Sequence, residues 1–132
     1  MVLFCNLIRE GEVDFEKIGW VFLGSGLGGV VRYSISLASR GLFSAFPIGT
    51  LVSNLLGMFL IGYLFLILTE GSFPWREFIL IGFLGGLTTF STFGNDTVLL
   101  FLEGKPFLGA LYLSANLGLG FMLLYLGRSL GT

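Results

Sequence analysis

Residues 85–96 read GGLTTFSTFGND, and this short stretch decides how the whole chain is interpreted. It lies inside an apolar run long enough for a membrane helix, yet it begins with two glycines and continues with hydroxyl side chains and an acid. Glycine weakens a helix, and hydroxyl groups in lipid can bond to carbonyls that a break releases. We therefore expect the segment to separate into two half-helices at Gly85, Gly86, Thr88 and Thr89.

The same residues also allow an unbroken helix in which each hydroxyl bonds to the carbonyl four residues earlier. The two interpretations differ in what they imply about function. Non-helical backbone at mid-membrane depth is tolerated only where protein buries it or water reaches it. A break therefore predicts a functional site, where freed carbonyls favour a cation and the N-terminus of the second half-helix favours an anion.

Composition places the chain among integral membrane proteins. Of its 132 residues, 55% are hydrophobic and only 11% are charged, and 15 are phenylalanine; the mean hydropathy is +0.94. A net charge of -1 without a basic cluster argues against nucleic-acid binding. Because histidine is absent and Cys5 is the single cysteine, Cys/His metal clusters and intrachain disulfides are excluded.

Four nearly uncharged stretches are each long enough for the roughly 20 residues that a bilayer requires. They are residues 18–39, 45–69, 78–102 and 106–127. We predict one all-α transmembrane domain over residues 18–132, preceded by an amphipathic interfacial segment over residues 1–17. Gly41, Gly71 and Gly104 fit helix C-termini, and Pro74 and Pro106 fit the first turns of the helices that follow.

Charges and glycines bear on how the helices assemble. The flanking positive residues divide four against two between the membrane sides. This bias is weak enough for insertion in both orientations, and a modest preference for the N-terminus inside is the simpler alternative. Two pairs of glycines lie four residues apart and predict close helix packing. We also expect a homo-oligomer. The charges are Arg9, Lys17, Arg76 and Arg128 against Arg40 and Lys105, and the glycine pairs are Gly24 with Gly28 and Gly82 with Gly86.

Several polar groups lie within the predicted spans, where they are costly and mark candidate sites. Arg32 lies in the first span, Asn54 in the second and Asp96 in the third. Alternatively, Arg32 extends to the interface and Asn54 joins two helices by hydrogen bonding. Phe90 and Phe93 are three residues apart and share a helix face, so their ring edges would suit a passage for a small anion. In a chain with 15 phenylalanines, however, a given ring more often faces lipid or a core.

The fourth span carries two contrasting faces. Tyr112, Asn116 and Gly120 form one, which predicts a polar track, although a tyrosine near a helix start is also typical of an interface anchor. The opposite face consists of small residues and predicts helix packing: Ala110, Ser114 and Gly118.

The sequence also excludes some functions. It contains no nucleophile–base pair, phosphate-binding glycine loop or metal-ligand spacing, so we do not expect an enzyme. A small proton-coupled multidrug exporter remains the alternative, but it needs a carboxylate in an early span, and residues 18–69 contain none. A structural subunit of a larger membrane complex is a third possibility.

Three blocks of sequence carry a resemblance to a known family. They read GGVVRYSIS from Gly28, GTLVSNLLGMFLIG from Gly49 and GFLGGLTTFSTF from Gly82. In this order they resemble the Fluc, or CrcB-type, fluoride channel family, and the likeness extends over nearly all of the chain from Gly24. Asp96 stands where that family more often has glutamate, and Asn116 where it more often has serine.

The resemblance implies an antiparallel, dual-topology homodimer with a broken third helix in the bacterial plasma membrane. It implies a passive, fluoride-selective channel that exports cytoplasmic fluoride and so gives fluoride resistance. A structural sodium ion at the dimer centre would be held by the backbone carbonyls of Gly85 and Thr88. The implied fluoride pathway comprises Asn54, Phe90, Phe93, Ser91, Thr92, Tyr112 and Asn116, with Arg32 near the vestibule. The choice of fluoride over chloride rests on this resemblance alone.

Overall fold

The computed structural model of the chain describes residues 14–41, 46–69 and 74–131, and all regular secondary structure in these ranges is helical. Four segments are long and apolar enough to cross a membrane, which confirms the predicted four membrane-spanning segments. We number them spans 1 to 4: Phe15–Ala38, Ile48–Leu68, Arg76–Leu102 and Pro106–Leu130. The predicted interfacial segment lies outside the described residues, apart from residues 14–17.

Spans 1 and 2 are single helices, whereas spans 3 and 4 are composite. Helix α1 is Phe15–Ala38 and helix α2 is Ile48–Thr69. Span 3 consists of a π-helix, π1 (Arg76–Phe83), the single turn α3 (Leu84–Leu87) and helix α4 (Phe90–Leu102). Span 4 consists of α5 (Pro106–Ser114), the π-helical segment π2 (Ala115–Leu119) and α6 (Gly120–Leu130).

Local sequence explains where α1 begins. The Asp14 carboxylate accepts hydrogen bonds from the backbone N–H groups of Glu16 (3.0 Å) and Lys17 (3.3 Å), which satisfies two donors of the first turn. The bond from the Lys17 N–H also holds the pKa of Asp14 below its usual value. Because of this cap, the helix begins at Phe15, three residues before the start that hydropathy predicts.

Spans 1 and 3 pack through the glycine pairs that the sequence indicates. A Cβ added to Gly82 would lie 3.0 Å from the Gly24 Cα atom, and one added to Gly28 would overlap the carbonyl oxygen of Phe83. A Cβ on Gly86 would likewise overlap the carbonyl oxygen of Ser25. These glycines therefore bring the two helix backbones into direct contact within one chain.

Spans 2 and 4 approach in the same way, through glycines that the sequence did not single out. A Cβ on Gly62 would overlap the carbonyl oxygen of Leu124, and one on Gly127 would overlap that of Phe59. The small-residue stripe expected to pack, formed by Ala110, Ser114 and Gly118, is instead exposed in the single chain. The opposite, polar face of span 4 turns inward.

Two clusters of buried side chains lie on either side of Thr88 and Thr89 in span 3. The first contains Leu80, Leu84 and Leu87, and partly buried residues of spans 1 and 2 pack against it. The second contains Phe93, Leu100 and Tyr112, and joins span 3 to span 4. The midpoint of span 3 is therefore held between two apolar cores.

Spans 3 and 4 form a helical hairpin with a short connection. Only Glu103, Gly104 and Lys105 separate α4 from α5. Gly104 has a φ of +72°, a left-handed conformation that glycine adopts without strain, and Pro106 opens α5 at its first position, as predicted. The Lys105 N–H donates to the Leu100 carbonyl at 2.9 Å, which closes the turn.

The close approach of spans 1 and 3 predicts the effect of a small substitution. Gly28→Ala should destabilise the fold by about 1–3 kcal/mol, because the added methyl group forces the Phe83 carbonyl to move. The measurement is the temperature at which detergent-purified protein loses its native size-exclusion peak.

Gly26→Ala is the matched control, since a Cβ there would have no heavy atom within 4 Å. It should leave stability unchanged or raise it slightly, because alanine favours a helix over glycine. Equal effects of the two substitutions would contradict direct backbone contact at Gly28.

Candidate functional site

The site is built around two residues of span 3 that leave helical geometry. Thr88 has φ and ψ of -85° and 154°, and Thr89 has -151° and 124°, so both are extended between α3 and α4. Gly85 and Gly86, which we expected to take part in a break, belong to the helical turn before it. The backbone at Gly86 is helical, and the residue is glycine because it lies in direct contact with span 1.

Asn54 of span 2 pairs with the backbone of Thr89. The Thr89 N–H donates to Asn54 Oδ1 at 2.9 Å, and Asn54 Nδ2 donates to the Thr89 carbonyl at 3.2 Å. A single amide can pair with both groups because an extended residue presents its N–H and C=O on the same side. The Thr89 N–H is therefore used by Asn54, and the Gly85 carbonyl does not receive the bond that an unbroken helix would give it.

One face of span 2 contacts span 3 along the interruption. Thr50 Oγ1 donates to Asp96 Oδ2 at 3.0 Å, one turn before Asn54 on the same face. Gly57, three residues after Asn54, makes room for the methyl group of Thr88, which a Cβ at position 57 would overlap. Thr50, Asn54 and Gly57 thus act together as a surface fitted to the extended residues and to Asp96.

Span 4 contributes its polar face to the same site. Tyr112 is fully buried, and its hydroxyl donates to Asp96 Oδ2 at 3.3 Å. Asn116, within π2, accepts a hydrogen bond from Asn54 Nδ2 at 2.9 Å and donates through its own Nδ2 to the Tyr112 carbonyl at 3.0 Å. Spans 2, 3 and 4 are therefore joined inside the membrane domain by polar side chains, whose two groups meet at Tyr112 through its hydroxyl and its backbone carbonyl.

Hydroxyl groups gather where α4 begins. Thr89 Oγ1 caps this helix by accepting from the Thr92 N–H at 3.3 Å, and it also bonds to the hydroxyls of Thr92 (3.2 Å) and Ser91 (3.3 Å). Ser91 and Thr92 are exposed in the single chain. Because the helix N-terminus carries partial positive charge, this exposed cluster is an environment that favours an anion.

Phe90 and Phe93 lie side by side but in different surroundings. Their ring centroids are 5.6 Å apart with an angle of 60° between the planes. Phe90 is 81% exposed, whereas Phe93 is 4% exposed and packs against Tyr112 at 5.7 Å. The shared face that the spacing predicts is present, with one ring in the core and one open to the outside of the chain.

Arg32 lies apart from these networks. It is half-buried on α1 and makes no hydrogen bond or ion pair with another residue in the part of the chain that the structure describes. The sequence marked Asp96 only as a costly acid and gave Thr50 no role, although both belong to the polar network. The sequence pattern that could have indicated a role for Thr50 is its spacing of four residues from Asn54. Tyr112 and Asn116 have the same spacing.

These features define a multi-pass helical membrane protein with a polar site between its spans. A family model described as "CrcB-like protein, Camphor Resistance (CrcB)" matches residues 19–128. The chain belongs to this CrcB family.

Curated relatives support the same assignment, and the three described below are each named "Fluoride-specific ion channel FluC". The protein from Shewanella halifaxensis is 45% identical over 118 residues, which cover 87% of this chain and 95% of that protein. The one from Shewanella oneidensis is 43% identical over 113 residues, 83% and 91% of the two chains. The one from Burkholderia cenocepacia is 46% identical over 94 residues, 69% and 73% of the two chains.

The bonds to Asp96 generate a stability prediction. Tyr112→Phe keeps the buried ring but removes one donor to Asp96 Oδ2, and should cost about 1 kcal/mol. Thr50→Val removes the other donor, and the double variant should lose more than the sum of the two because the carboxylate oxygen then has no partner. Thermal unfolding of the detergent-purified variants measures both effects.

Tyr63→Phe is the control, since the Tyr63 ring stacks on Phe59 and its hydroxyl bonds to no described residue. It should leave stability unchanged. Simple additivity of Tyr112→Phe and Thr50→Val would show that the two donors do not share one acceptor.

Proposed function

We propose that this protein is a fluoride-selective ion channel that passively exports cytoplasmic fluoride across the bacterial plasma membrane and so gives fluoride resistance. The observation that carries the proposal is the identity of 40–46% to proteins named fluoride-specific ion channels. The chain covers most of the length of these relatives, so the comparison concerns the whole membrane domain.

The chemistry of the site supports an anion as the transported species. Fluoride is small and strongly hydrated, so a pathway must replace its water with close hydrogen-bond donors and still release the ion. The hydroxyls of Ser91 and Thr92 at the N-terminus of α4 are such donors, and the neighbouring Phe90 ring offers a partly positive edge. None of these groups carries a full charge that would trap the ion.

The proposed pathway follows the polar network and the phenylalanines. The Phe93 and Tyr112 rings are in contact, and Asn54 is hydrogen-bonded to Asn116, which supports one continuous route along spans 2, 3 and 4. Arg32 is proposed to lie near an entrance, since it is in none of the hydrogen-bonded groups. The pathway residues are Asn54, Phe90, Ser91, Thr92, Phe93, Tyr112 and Asn116.

An antiparallel homodimer with a broken third helix belongs to the same proposal. The extended Thr88 and Thr89 support the break, and the 81% exposure of Phe90 supports a second copy beside it. A structural sodium ion at the dimer axis would bind the carbonyls of Gly85 and Thr88. The residues fit such an ion, because the Thr89 N–H is bonded to Asn54 and a Cβ on exposed Gly85 would meet no atom within 4 Å.

When bound, a sodium ion would balance the partial negative charges of the carbonyls that hold it. The proposed ligands are backbone carbonyls and not side chains. Within residues 14–41, 46–69 and 74–131, no group of three His, Cys, Asp or Glu side chains could hold a metal. The multidrug exporter is not supported, since its coupling carboxylate is lacking in residues 18–69 and the relatives are named as fluoride channels.

Fluoride efflux from liposomes that contain the purified protein tests the function directly. Rapid release of fluoride, recorded with an ion-selective electrode, should occur without release of chloride in a parallel experiment. Equal rates for the two anions would contradict selectivity. Release no faster than from protein-free liposomes would contradict the channel itself.

Phe93→Ile should reduce fluoride efflux by about 2–10-fold, because it removes a partly positive ring edge from the pathway. Phe22→Ile, at a ring that is 76% exposed on α1, is the control and should conduct normally. The liposome measurement compares the two variants. Normal efflux through Phe93→Ile would remove this residue from the ion path.

Asn54→Asp should reduce fluoride efflux by more than about tenfold, a barrier increase of about 1.4 kcal/mol. The new carboxylate places negative charge on the path and faces the Thr89 carbonyl and Asn116 Oδ1, which are acceptors. Asn95→Asp makes the same change at an exposed position of α4 and should conduct normally. Unaltered efflux in Asn54→Asp would mean that the amide faces away from the path.

A further inference from the structure

We propose that Asn116 is a positioning residue. Its side-chain amide fixes the orientation of the Asn54 amide, and Asn54 in turn holds Thr89 in the extended conformation that interrupts span 3. Asn116 thereby controls the geometry of groups that it does not touch, the hydroxyl cluster at the start of α4 and the Gly85 carbonyl. Its effect on ion flow rests on the proposed channel function, whereas its effect on Thr89 does not.

The orientation of Asn116 follows from its partner in its own span. Asn116 Nδ2 donates to the Tyr112 carbonyl at 3.0 Å, and a carbonyl oxygen can only accept. The nitrogen of the Asn116 amide must therefore face Tyr112, and its oxygen must face the other way, toward span 2. Because Asn116 is 7% exposed, water does not offer this amide an alternative set of partners.

The oxygen of Asn116 then sets the orientation of Asn54. Asn116 Oδ1 accepts from Asn54 Nδ2 at 2.9 Å, so Asn54 must present its nitrogen to span 4. This leaves Asn54 Oδ1 for the Thr89 N–H, at 2.9 Å. Turning either amide over would place two acceptors or two donors against each other, so the two amides have one mutually consistent arrangement.

All the hydrogens of the Asn54 amide are used in this arrangement. One Nδ2 hydrogen goes to Asn116 and the other to the Thr89 carbonyl at 3.2 Å. Removing the Asn116 acceptor would leave one Nδ2 hydrogen unpaired inside the protein, a costly state that Asn54 relieves only by moving that hydrogen toward water or another acceptor. Such a movement would weaken the pairing with Thr89, because that pairing needs both ends of the amide in place.

The position of Asn116 in span 4 agrees with such a role. It lies in π2, immediately after α5 ends, and short π-helical segments within α-helices are frequent at functional sites. The extended Thr89 also places its own hydroxyl as the cap of α4, beside Ser91 and Thr92. A change at Asn116 therefore reaches the exposed hydroxyls only through Asn54 and Thr89.

Two substitutions test the proposal in the full-length protein. Asn116→Leu has a similar size but no acceptor for Asn54. Asn116→Ser keeps a hydroxyl that can accept from Asn54 and donate to the carbonyl four residues earlier. The first readout is residue-resolved hydrogen exchange of the Thr89 N–H in lipid nanodiscs, with the amides of α1 as an internal reference. The second readout is fluoride efflux from liposomes.

In Asn116→Leu the Thr89 N–H should exchange at least about tenfold faster than in the wild type, a change of about 1.4 kcal/mol, while α1 amides stay unchanged. Fluoride efflux should fall in the same variant. Asn116→Ser should keep the exchange rate of the Thr89 N–H within about threefold of the wild type. A variant that merely loosened the whole fold would speed exchange in α1 as well, and that result would overturn the positioning role.

Unchanged Thr89 exchange in Asn116→Leu, or equally fast exchange in the Leu and Ser variants, would also overturn the proposal. Normal fluoride efflux from Asn116→Leu with an unprotected Thr89 N–H would overturn the effect of Asn116 on ion flow and leave its effect on Thr89 standing. If Asn116→Leu does not fold, the wild type alone is decisive, because the two Asn54 Nδ2 hydrogens should both be protected from exchange and free exchange of either would refute the arrangement. A wild type that protects Thr89 but releases no fluoride would refute the channel function and leave the positioning inference standing.

Discussion

The structure depends on one requirement: a peptide group within the membrane domain needs a partner for its N–H and its C=O. Asn54 meets this requirement for Thr89 with a single side-chain amide, so the chain can depart from the helix without leaving the N–H or the C=O of that residue unpaired. The Asn54 side chain thus supplies the donor and the acceptor that the adjacent turns of an unbroken helix would have supplied. A polar side chain on one span is therefore what allows non-helical backbone on another.

The rest of the fold brings that amide into place. Spans 1 and 3 and spans 2 and 4 each meet at glycines, so the helix axes are close enough for short side chains to bridge them. Leucines pack before the extended residues and aromatic rings pack after them, which fixes both halves of span 3. The polar groups then join spans 2, 3 and 4 where these two cores meet.

Hydropathy and local motifs were enough to predict four spans, and residue types were enough to indicate Asn54, Tyr112 and Asn116. The glycine spacing of spans 1 and 3 was visible because each pair lies within one span. Other features depend on contacts between distant segments. The pairing of Asn54 with Thr89 joins residues 35 positions apart, and no local pattern encodes it. The different exposure of Phe90 and Phe93 likewise follows from the position of Tyr112 in the next span.

The three-residue turn between α4 and α5 bears on how the protein reaches the lipid. Asp96 and Tyr112 lie on opposite arms of this hairpin, and each arm alone would carry its polar group into hydrocarbon without the other. Because a turn this short keeps the arms adjacent, we expect them to enter the lipid together, with the acid and the hydroxyl paired. The connection would then lower the cost of insertion as well as shape the folded protein.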